Sequence, residues 1–294
     1  MQNAAEIFDR YECVRQRLPL IRSQPKASSI TSLLDISGEV DAFVFDAFGV
    51  LNVGEVPIPG AIDQIAQLRT RGHEVRVLTN AASFNPDATM KKFKRLGFSF
   101  YPEEIITSRS AALAAMDDRH WGVIADTADP LIDIPYQTTR LGSLEAPYGD
   151  VEGFLFLSTA CWSDAQQEIL ERSLAHSPRR VVIANADLAA PRGDTFSIEP
   201  GYWGHQIADK FGVQVEFFGK PFQSIFQIGA SSLGRIEPHK IAMCGDSLHT
   251  DILGANAMGW KSVFVTHDGL FNQLHPSELI ATSGIQPDWI TPRI

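Results

Sequence analysis

The sequence predicts an α/β protein, in which a parallel sheet with helices on both faces is interrupted by a second, inserted α/β domain. Short apolar runs alternate with segments of helical periodicity along most of the chain, which is typical of strand–helix–strand units. Several of these runs end in a polar residue, where the strands of parallel sheets carry functional groups. The 294 residues are enough for two domains.

The first elements predicted are a helix and a loop. Apolar side chains recur at helical spacing over residues 4–19, and the polar stretch 23–32 follows as a loop. Residues 1–37 are therefore predicted to form an N-terminal helical arm, whose role the sequence does not indicate.

The next segment begins the sheet. The run AFVFD (42–46) predicts a buried strand, residues 57–72 a helix ending at Gly72, and residues 74–80 a parallel strand, which together form a right-handed crossover. A helix, a short strand and a second helix are then expected over 85–97, 105–108 and 108–118.

The pattern changes from about residue 119 to residue 204. Three strand-like runs and one helix, 163–176, are long enough for a separate α/β unit, so an inserted domain is predicted over 119–204. The main domain then comprises 38–118 and 205–294. Its second part is expected to follow the order helix, strand, helix, strand, helix, strand over 201–212, 215–220, 222–234, 240–247, 250–259 and 261–269.

Composition excludes some classes of function. The net charge of −10 argues against a general nucleic-acid or anionic-membrane binder, because both partners are themselves negative. No stretch approaches the ~20 apolar residues of a membrane span, and the N-terminus has no signal-peptide pattern. The three cysteines have neither disulfide nor zinc spacing. A reduced, cytoplasmic protein is the expectation.

Four polar groups follow predicted strands. They are Asp46, Thr79–Asn80, Lys220 and Asp246–Ser247. Each alone is typical of a helix cap, a turn or a surface charge. Their order along the chain is more specific, because the ends of parallel strands meet at one edge of a sheet.

In this order the motifs resemble those of the haloacid dehalogenase (HAD) superfamily, most closely subfamily IIA, the branch of 4-nitrophenylphosphatases and pyridoxal phosphatases. The resemblance covers about residues 40–270. The motifs that carry it are FDAFGVLNVG…PGA (45–61), VLTNAA (77–82), NAD (185–187), FFGKP (217–221) and CGDSLHTDILGANAMG (244–259). It implies a Rossmann-like core with an inserted α/β cap domain and a hydrolase acting on a small phosphorylated metabolite. Caps of this type often join in dimers in that family, so a homodimer is one expected assembly.

The resemblance assigns the chemistry to a few residues. Asp46 would attack phosphorus and form an aspartyl-phosphate, which is a covalent route open to carboxylates. Mg²⁺ would offset the repulsion between this carboxylate and the phosphate, with hard oxygen ligands. Those ligands would be Asp46, the backbone carbonyl of Phe48, Asp246 and Asp251, the last directly or through water.

The same resemblance assigns the phosphate contacts. Thr79 and the backbone amide of Asn80 would bind phosphoryl oxygens. Lys220 would neutralise the phosphate and orient Asp46, as a point charge can. The NAD stretch (185–187), followed by Gly193, resembles a cap motif that usually reads NPD, and the cap would exclude water and select the substrate.

One residue departs from the family pattern. Phosphatases of this family carry a second Asp that protonates the leaving oxygen and later activates water, and here that position is Phe48. General acid–base help is typically worth ~10²–10⁴ in rate. A phenyl ring cannot give it, whereas a backbone carbonyl at the same position can still bind a cation.

Three hypotheses remain open. The protein is a phosphatase whose leaving group needs little protonation, or whose proton comes from Glu55, His249 or a cap residue. Alternatively it is a catalytically weak or inactive protein that binds a phosphorylated ligand. A dehalogenase is the third hypothesis, because those enzymes carry an aromatic residue at the position of Phe48. The acidic loop that contains Asp246 and Asp251, which calls for a cation, and the large insertion oppose this hypothesis. The intact Asp46 and Lys220 favour the phosphatase.

Overall fold

The computed structural model describes residues 3–192 and 195–294, so that Gly193 of the predicted cap motif lies outside the described residues. The chain divides into two compact units. The first unit comprises Met1–Thr79, Ala88–Ile106 and Lys220–Ile294, and the second comprises Asn80–Asp87 and Thr107–Gly219. Among the described residues, no helix has both the length and the apolar character that crossing a membrane requires.

The structure confirms the predicted α/β class. The strands are β1 (Ser28–Ser29), β2 (Ala42–Phe45), β3 (Asn52–Val53), β4 (Val56–Pro57), β5 (Glu74–Thr79), β6 (Ile105–Thr107), β7 (Trp121–Ile124), β8 (Thr138–Arg140), β9 (Gly153–Phe156), β10 (Arg180–Ile183), β11 (Ala189–Arg192), β12 (Thr195–Ile198), β13 (Val215–Phe217), β14 (Ile241–Gly245), β15 (Lys261–Val265) and β16 (Trp289–Thr291). The α-helices are α1 (Ala4–Cys13), α2 (Ala61–Thr70), α3 (Pro86–Arg95), α4 (Ser108–Ala114), α5 (Asp164–His176), α6 (Pro200–Lys210), α7 (Gln223–Ser232), α8 (Leu253–Met258) and α9 (Pro276–Ser283).

The first unit is built on a seven-stranded sheet with the strand order β1–β16–β15–β14–β2–β5–β6. The interior strand β2 pairs in parallel with β14 on one side and with β5 on the other, and all four of its residues are buried. Burial on both faces explains the continuous apolar run, since no position of the strand meets water. Because the chain leaves β2 towards one neighbour and later returns to the other, β2 marks the switch point where such sheets bind ligands.

The second unit has its own sheet and its own apolar core. Its parallel sheet has the order β13–β10–β9–β7–β8, and β11 pairs with β12 as an antiparallel hairpin. Leu170 and Leu174 of α5 share one core cluster with Phe154 and Phe156 of β9. The helix begins at a capping box, in which the Ser163 side chain accepts from Gln166 N and the Gln166 side chain accepts from Ser163 N.

The predicted boundary at residues 204 and 205 is wrong. Residues 205–219 belong to the second unit, because β13 pairs in parallel with β10 and Ile207 of α6 lies in the same core cluster as β10. At the other end the second unit includes Asn80–Asp87 and continues from Thr107, and not from residue 119. An apolar run identifies a strand but not the sheet that the strand joins.

The N-terminal arm also differs from the prediction. Helix α1 ends at Cys13, and the turn that follows it, Arg15–Arg17, is a 3₁₀ helix. The predicted loop contains β1, which pairs in parallel with β16 at the edge of the first sheet. Residues 1–37 therefore belong to the first unit.

Candidate active site

Three predicted carboxylates meet at one edge of the first sheet. Asp46 directly follows β2 and Asp246 directly follows β14, and these strands run in register, with Phe45 opposite Cys244. Asp251 comes from the turn after β14. One oxygen from each of the three carboxylates lies within 4.8 Å of the others. The structure thus brings together the three Asp side chains predicted as metal ligands.

Lys220 joins this cluster as predicted. Its Nζ lies 2.6 Å from Asp46 Oδ1 and 2.7 Å from Asp251 Oδ1, and the residue is only 1% exposed. Lys220 does not end a strand of the first sheet, because it stands at the chain's return from the second unit, just before α7. The ammonium group nonetheless fixes two of the three carboxylates at hydrogen-bond distance.

Backbone amides hold the carboxylates in place. Asp46 Oδ1 accepts from Ala47 N at 2.7 Å, and Asp246 Oδ2 accepts from Leu270 N at 2.7 Å. Asp251 Oδ2 accepts from Ser247 N at 3.1 Å. Each acid is therefore oriented by a main-chain donor.

Two glycines allow the main chain to approach Asp246. A Cβ atom on Gly49, where φ is +74°, would lie 2.7 Å from Asp246 Oδ2, and one on Gly269 would lie 2.3 Å from the same oxygen. Any side chain at either position would displace the carboxylate. Gly49 lies inside a recognised motif, whereas the role of Gly269 was missed, and only its place after a strand could have indicated it.

Burial, together with neighbouring charges, changes the ionisation of Asp46 and Asp246. Burial is the main cause that raises the pKa of Asp46 to about 6; Asp251 also raises it, and Lys220 acts in the opposite direction. Burial, followed by the charges of Asp46 and Asp251, raises the pKa of Asp246 as well. Such a group of hard oxygen donors fits a divalent cation, whose charge favours the ionised forms.

Phe48 lies half-buried beside the nucleophile position. Its backbone forms an isolated bridge to Asn52, just before the β3–β4 hairpin. Its carbonyl as a cation ligand stays a prediction, because no contact of the structure tests it.

Besides Lys220, the other two predicted phosphate-binding residues fall in different units. Thr79 is the buried last residue of β5, the strand next to β2. Asn80 belongs to the second unit, where its Nδ2 donates to Asp187 Oδ1 at 2.8 Å and its carbonyl accepts from Ser108 Oγ at 2.7 Å. The structure thus joins Asn80 to the NAD stretch, and the role of its amide stays a prediction.

Two of the suggested proton donors are engaged elsewhere. Glu55 is exposed and forms an ion pair with Arg95 at 2.8 Å. His249 is fully buried, and its Nε2 lies 2.5 Å from Glu12 Oε1. Burial lowers the pKa of His249, while the hydrogen bond to His249 lowers the pKa of Glu12, so a neutral imidazole donates to a carboxylate. Glu12 was not predicted, and no local pattern marks it.

The second unit contains a cavity of about 220 Å³. It lies beyond the carboxyl ends of β7, β8 and β9, and Thr127, Arg140, Ser158, Cys161 and Gln166 are among the residues that line it. A partly apolar cavity with a few polar side chains is typical of ligand-binding sites.

Known proteins resemble both units. Residues 43–127 match the family of haloacid dehalogenase-like hydrolases, and residues 217–294 match a family described as HAD-hydrolase-like. The glycerol-3-phosphate phosphatase of Rattus norvegicus is 26% identical over 258 residues, which are 76% of this chain and 78% of that protein. The D-glycerol 3-phosphate phosphatase of Mycobacterium tuberculosis is 27% identical over 78% of this chain and 64% of its own length.

Solved structures share the fold. A possible sugar phosphatase of the HAD superfamily from Cytophaga hutchinsonii superposes with a TM-score of 0.79 at 23% identity, over 91% of this chain and 98% of that one. A p-nitrophenyl phosphatase from Archaeoglobus fulgidus gives a TM-score of 0.72 at 17% identity, over 87% and 97%. Asp46, Lys220 and the acidic loop (residues 246–252) meet at the switch strand, and two parts of the sequence match models of this kind. This chain belongs to the haloacid dehalogenase-like hydrolases.

Proposed function

We propose that the protein is a Mg²⁺-dependent phosphatase of small phosphorylated metabolites that works through an aspartyl-phosphate on Asp46. The observation that carries the proposal is Lys220, buried between Asp46 and Asp251 within a cluster of three carboxylates. A binding protein would need the positive charge but not a nucleophile held against it. The names of the relatives, which are phosphatases of glycerol phosphate and sugars, support the same class of substrate.

The geometry suggests how Asp46 is prepared for attack. Lys220 and the amide of Ala47 both reach Oδ1, so Oδ2 is the oxygen that we expect to attack phosphorus. That attack forms the Oδ2–P bond and breaks the bond between phosphorus and the leaving oxygen. When bound, the divalent cation offsets the negative charge of the carboxylates and of the phosphoryl group. Water then hydrolyses the aspartyl-phosphate and regenerates Asp46.

Phe48 restricts the leaving group. The leaving oxygen needs a proton when its conjugate acid is weak, as in an alkyl phosphate, and the phenyl ring has none to give. Acyl and aryl phosphates leave without that help. The glycerol phosphates of the relatives are alkyl esters, so their hydrolysis by this chain requires a proton donor other than residue 48.

We further propose that the second unit is the inserted domain that selects the substrate and that the protein forms a homodimer.

The test is Mg²⁺-dependent phosphate release from acetyl phosphate, 4-nitrophenyl phosphate and glycerol 3-phosphate. We expect turnover to fall steeply as the leaving group becomes more basic, and Asp46→Asn to abolish turnover while the protein stays folded. Residual turnover in that variant would show that Asp46 is not the nucleophile. Equal turnover across the panel would mean that a substitute acid exists.

Phe48 also supports a second candidate function, in which the same site binds a phosphorylated ligand without turning it over. In that case calorimetry would detect inorganic phosphate binding in the presence of Mg²⁺, while none of the three substrates would release phosphate. Turnover of 2-haloacids without a cation would instead support the dehalogenase hypothesis, which the cluster of three acids opposes.

A further inference from the structure

The N-terminal arm encloses one side chain of the acidic loop (residues 246–252). The His249 ring stacks on Tyr11, with centroids 5.0 Å apart and an interplanar angle of 11°, and stands edge-on to Phe8 at 4.9 Å. Its Nε2 donates to Glu12 Oε1 at 2.5 Å. Phe8, Tyr11 and Glu12 are three and four residues apart, so one face of α1 supplies all three contacts.

A second contact holds the helix that continues from this loop. Asn256 of α8 is buried, and its Oδ1 accepts from Arg22 N at 2.7 Å and from Ser23 N at 3.1 Å. Its Nδ2 donates to the carbonyl of Ser23 at 2.6 Å. The arm therefore fixes the segment 249–256 at both of its ends.

A third contact reaches the other backbone that supports the acids. Phe8 stands edge-on to Phe271, with centroids 5.9 Å apart. Phe271 follows Leu270, whose amide donates to Asp246. The same residue of α1 thus packs on both segments that orient Asp246 and Asp251.

The acidic loop has a conformation that needs such support. Leu248–Ile252 is a π-helical turn, in which Ile252 N donates to Ser247 O, five residues earlier, at 3.3 Å. π turns are rare and are found as single turns, often at functional sites. On its inner side Asp251 packs directly on Gly245, where a Cβ atom would lie 2.1 Å from Asp251 Cβ. The strand fixes the inner side of the turn, and the arm fixes the side that carries His249.

We propose that the N-terminal arm positions the acidic loop for cation binding, and that Glu12 is the positioning residue, acting through His249. The inference rests on the proposed function in one respect, because it takes Asp46, Asp246 and Asp251 as the cation site. Without the Glu12–His249 contact the turn can relax to an ordinary α-helical turn. Asp251 then moves relative to the other two acids, and the cation loses affinity.

Calorimetry of Mg²⁺ binding to the 294-residue chain tests this inference without any substrate. Partners that orient metal ligands typically contribute 10–100-fold to metal affinity, so we expect Glu12→Ala to weaken Mg²⁺ binding about tenfold. Glu12→Gln keeps an oxygen acceptor for His249 and should bind nearly as the unaltered protein does. The matched control is Asp9→Ala, which removes an exposed carboxylate from the same helix and should leave the Kd unchanged.

A double-mutant cycle separates positioning from simple attachment of the arm. His249→Phe keeps the ring between Tyr11 and Phe8 but cannot donate to Glu12. If Glu12 acts through His249, the double variant should bind Mg²⁺ no more weakly than the weaker single variant. If the losses of Mg²⁺ affinity in the two single variants add up in the double variant, Glu12 does not act through His249. A lower unfolding temperature with unchanged Mg²⁺ affinity in Glu12→Ala, or no Mg²⁺ binding by the unaltered chain, would overturn the inference itself. Mg²⁺ binding without phosphate release from any substrate would instead contradict only the proposed function.

Discussion

At the scale of the residue, the proposed mechanism makes Phe48 the position that restricts which phosphate esters are cleaved. It stands two residues after Asp46, the proposed nucleophile, which Lys220 and a backbone amide hold in place. Because the two alternative donors suggested by name, Glu55 and His249, are engaged by Arg95 and Glu12, neither replaces the missing acid in the described structure. Under the proposed mechanism the residues that attack phosphorus are therefore in place, while no residue among those described in the first unit is assigned to proton transfer.

Phe48→Asp should restore that step. We expect kcat for glycerol 3-phosphate to rise by about 10² or more, because general acid help has at least that value for a poor leaving group. The rate with acetyl phosphate should change little. Phe48→Leu is the matched control, since it removes the ring without adding a carboxylate. An unchanged ratio between the two substrates in Phe48→Asp would show that the proton comes from another group, or that the half-buried position does not accept a charge.

The sequence predicts the reactive groups of the site better than their supports. Asp46 and Asp246 could be predicted because each follows an apolar run, and parallel strands bring such ends together. Lys220 was predicted from its motif, since it ends no strand of the first sheet. Glu12 could not, because it meets His249 across 237 positions of the chain and no periodic pattern relates the two. Gly269 supports Asp246 only through the absence of a side chain. The sequence shows that glycine but not that Asp246 lies against it.

At the scale of the element, the segment after β15 connects the site to the chain's last strand. Leu270 of this segment donates to Asp246, and Asp268, two residues earlier, pairs with Arg293 after β16. The pair is bidentate, with Arg293 Nε at 2.6 Å and Nη2 at 2.9 Å from the two carboxylate oxygens. Such a fork fixes a loop more firmly than a single ion pair.

This pair predicts a pH-dependent stability. The hydrogen bond from Arg293 is the main cause that holds the pKa of Asp268 below its usual value. A lowered folded-state pKa means that the stabilisation is complete above the unfolded pKa of about 3.9 and is lost as the pH falls through the folded pKa. Because Arg293 is partly exposed, Asp268→Asn should cost only about 0.5–1 kcal/mol at pH 7.

Urea denaturation of both proteins at pH 7 and near pH 3 checks this expectation. The difference in the free energy of unfolding between the unaltered protein and Asp268→Asn should shrink at the lower pH. Asp9→Asn, an exposed acid on α1, should show no such change. A difference that stays constant with pH would mean that Asp268 acts by packing and not by charge.

The misplaced domain boundary belongs to this scale as well. Strand β13 was predicted as a strand, and it is one. It was assigned to the wrong sheet because its neighbours in sequence, α6 and the segment after Gly219, read equally well as parts of either domain. Its pairing with β10 is a long-range contact, which local pattern does not contain.

At the scale of the whole molecule, the carboxylate cluster and the cavity belong to different units. The three acids and Lys220 lie in the first unit, while the 220 Å³ cavity and the NAD stretch lie in the second. Each unit has its own sheet and its own core cluster. A ligand that binds one folded unit stabilises that unit by mass action. The other unit is stabilised as well only if the two units unfold together.

Hydrogen exchange with and without Mg²⁺ therefore distinguishes independent from cooperative unfolding. At a hundredfold excess over the Kd the cation should stabilise the first unit by about 2.7 kcal/mol, and amides of β14 should exchange correspondingly more slowly. Amides of β9 and β10, in the second sheet, should keep their rates, because no acid of the cluster lies in that unit. NaCl at equal ionic strength is the control for general screening. Equal slowing of exchange in β14 and β9 would contradict the expectation and would mean that the two sheets unfold as one cooperative body. Cation binding at the acidic site would then also stabilise the domain that is proposed to select the substrate.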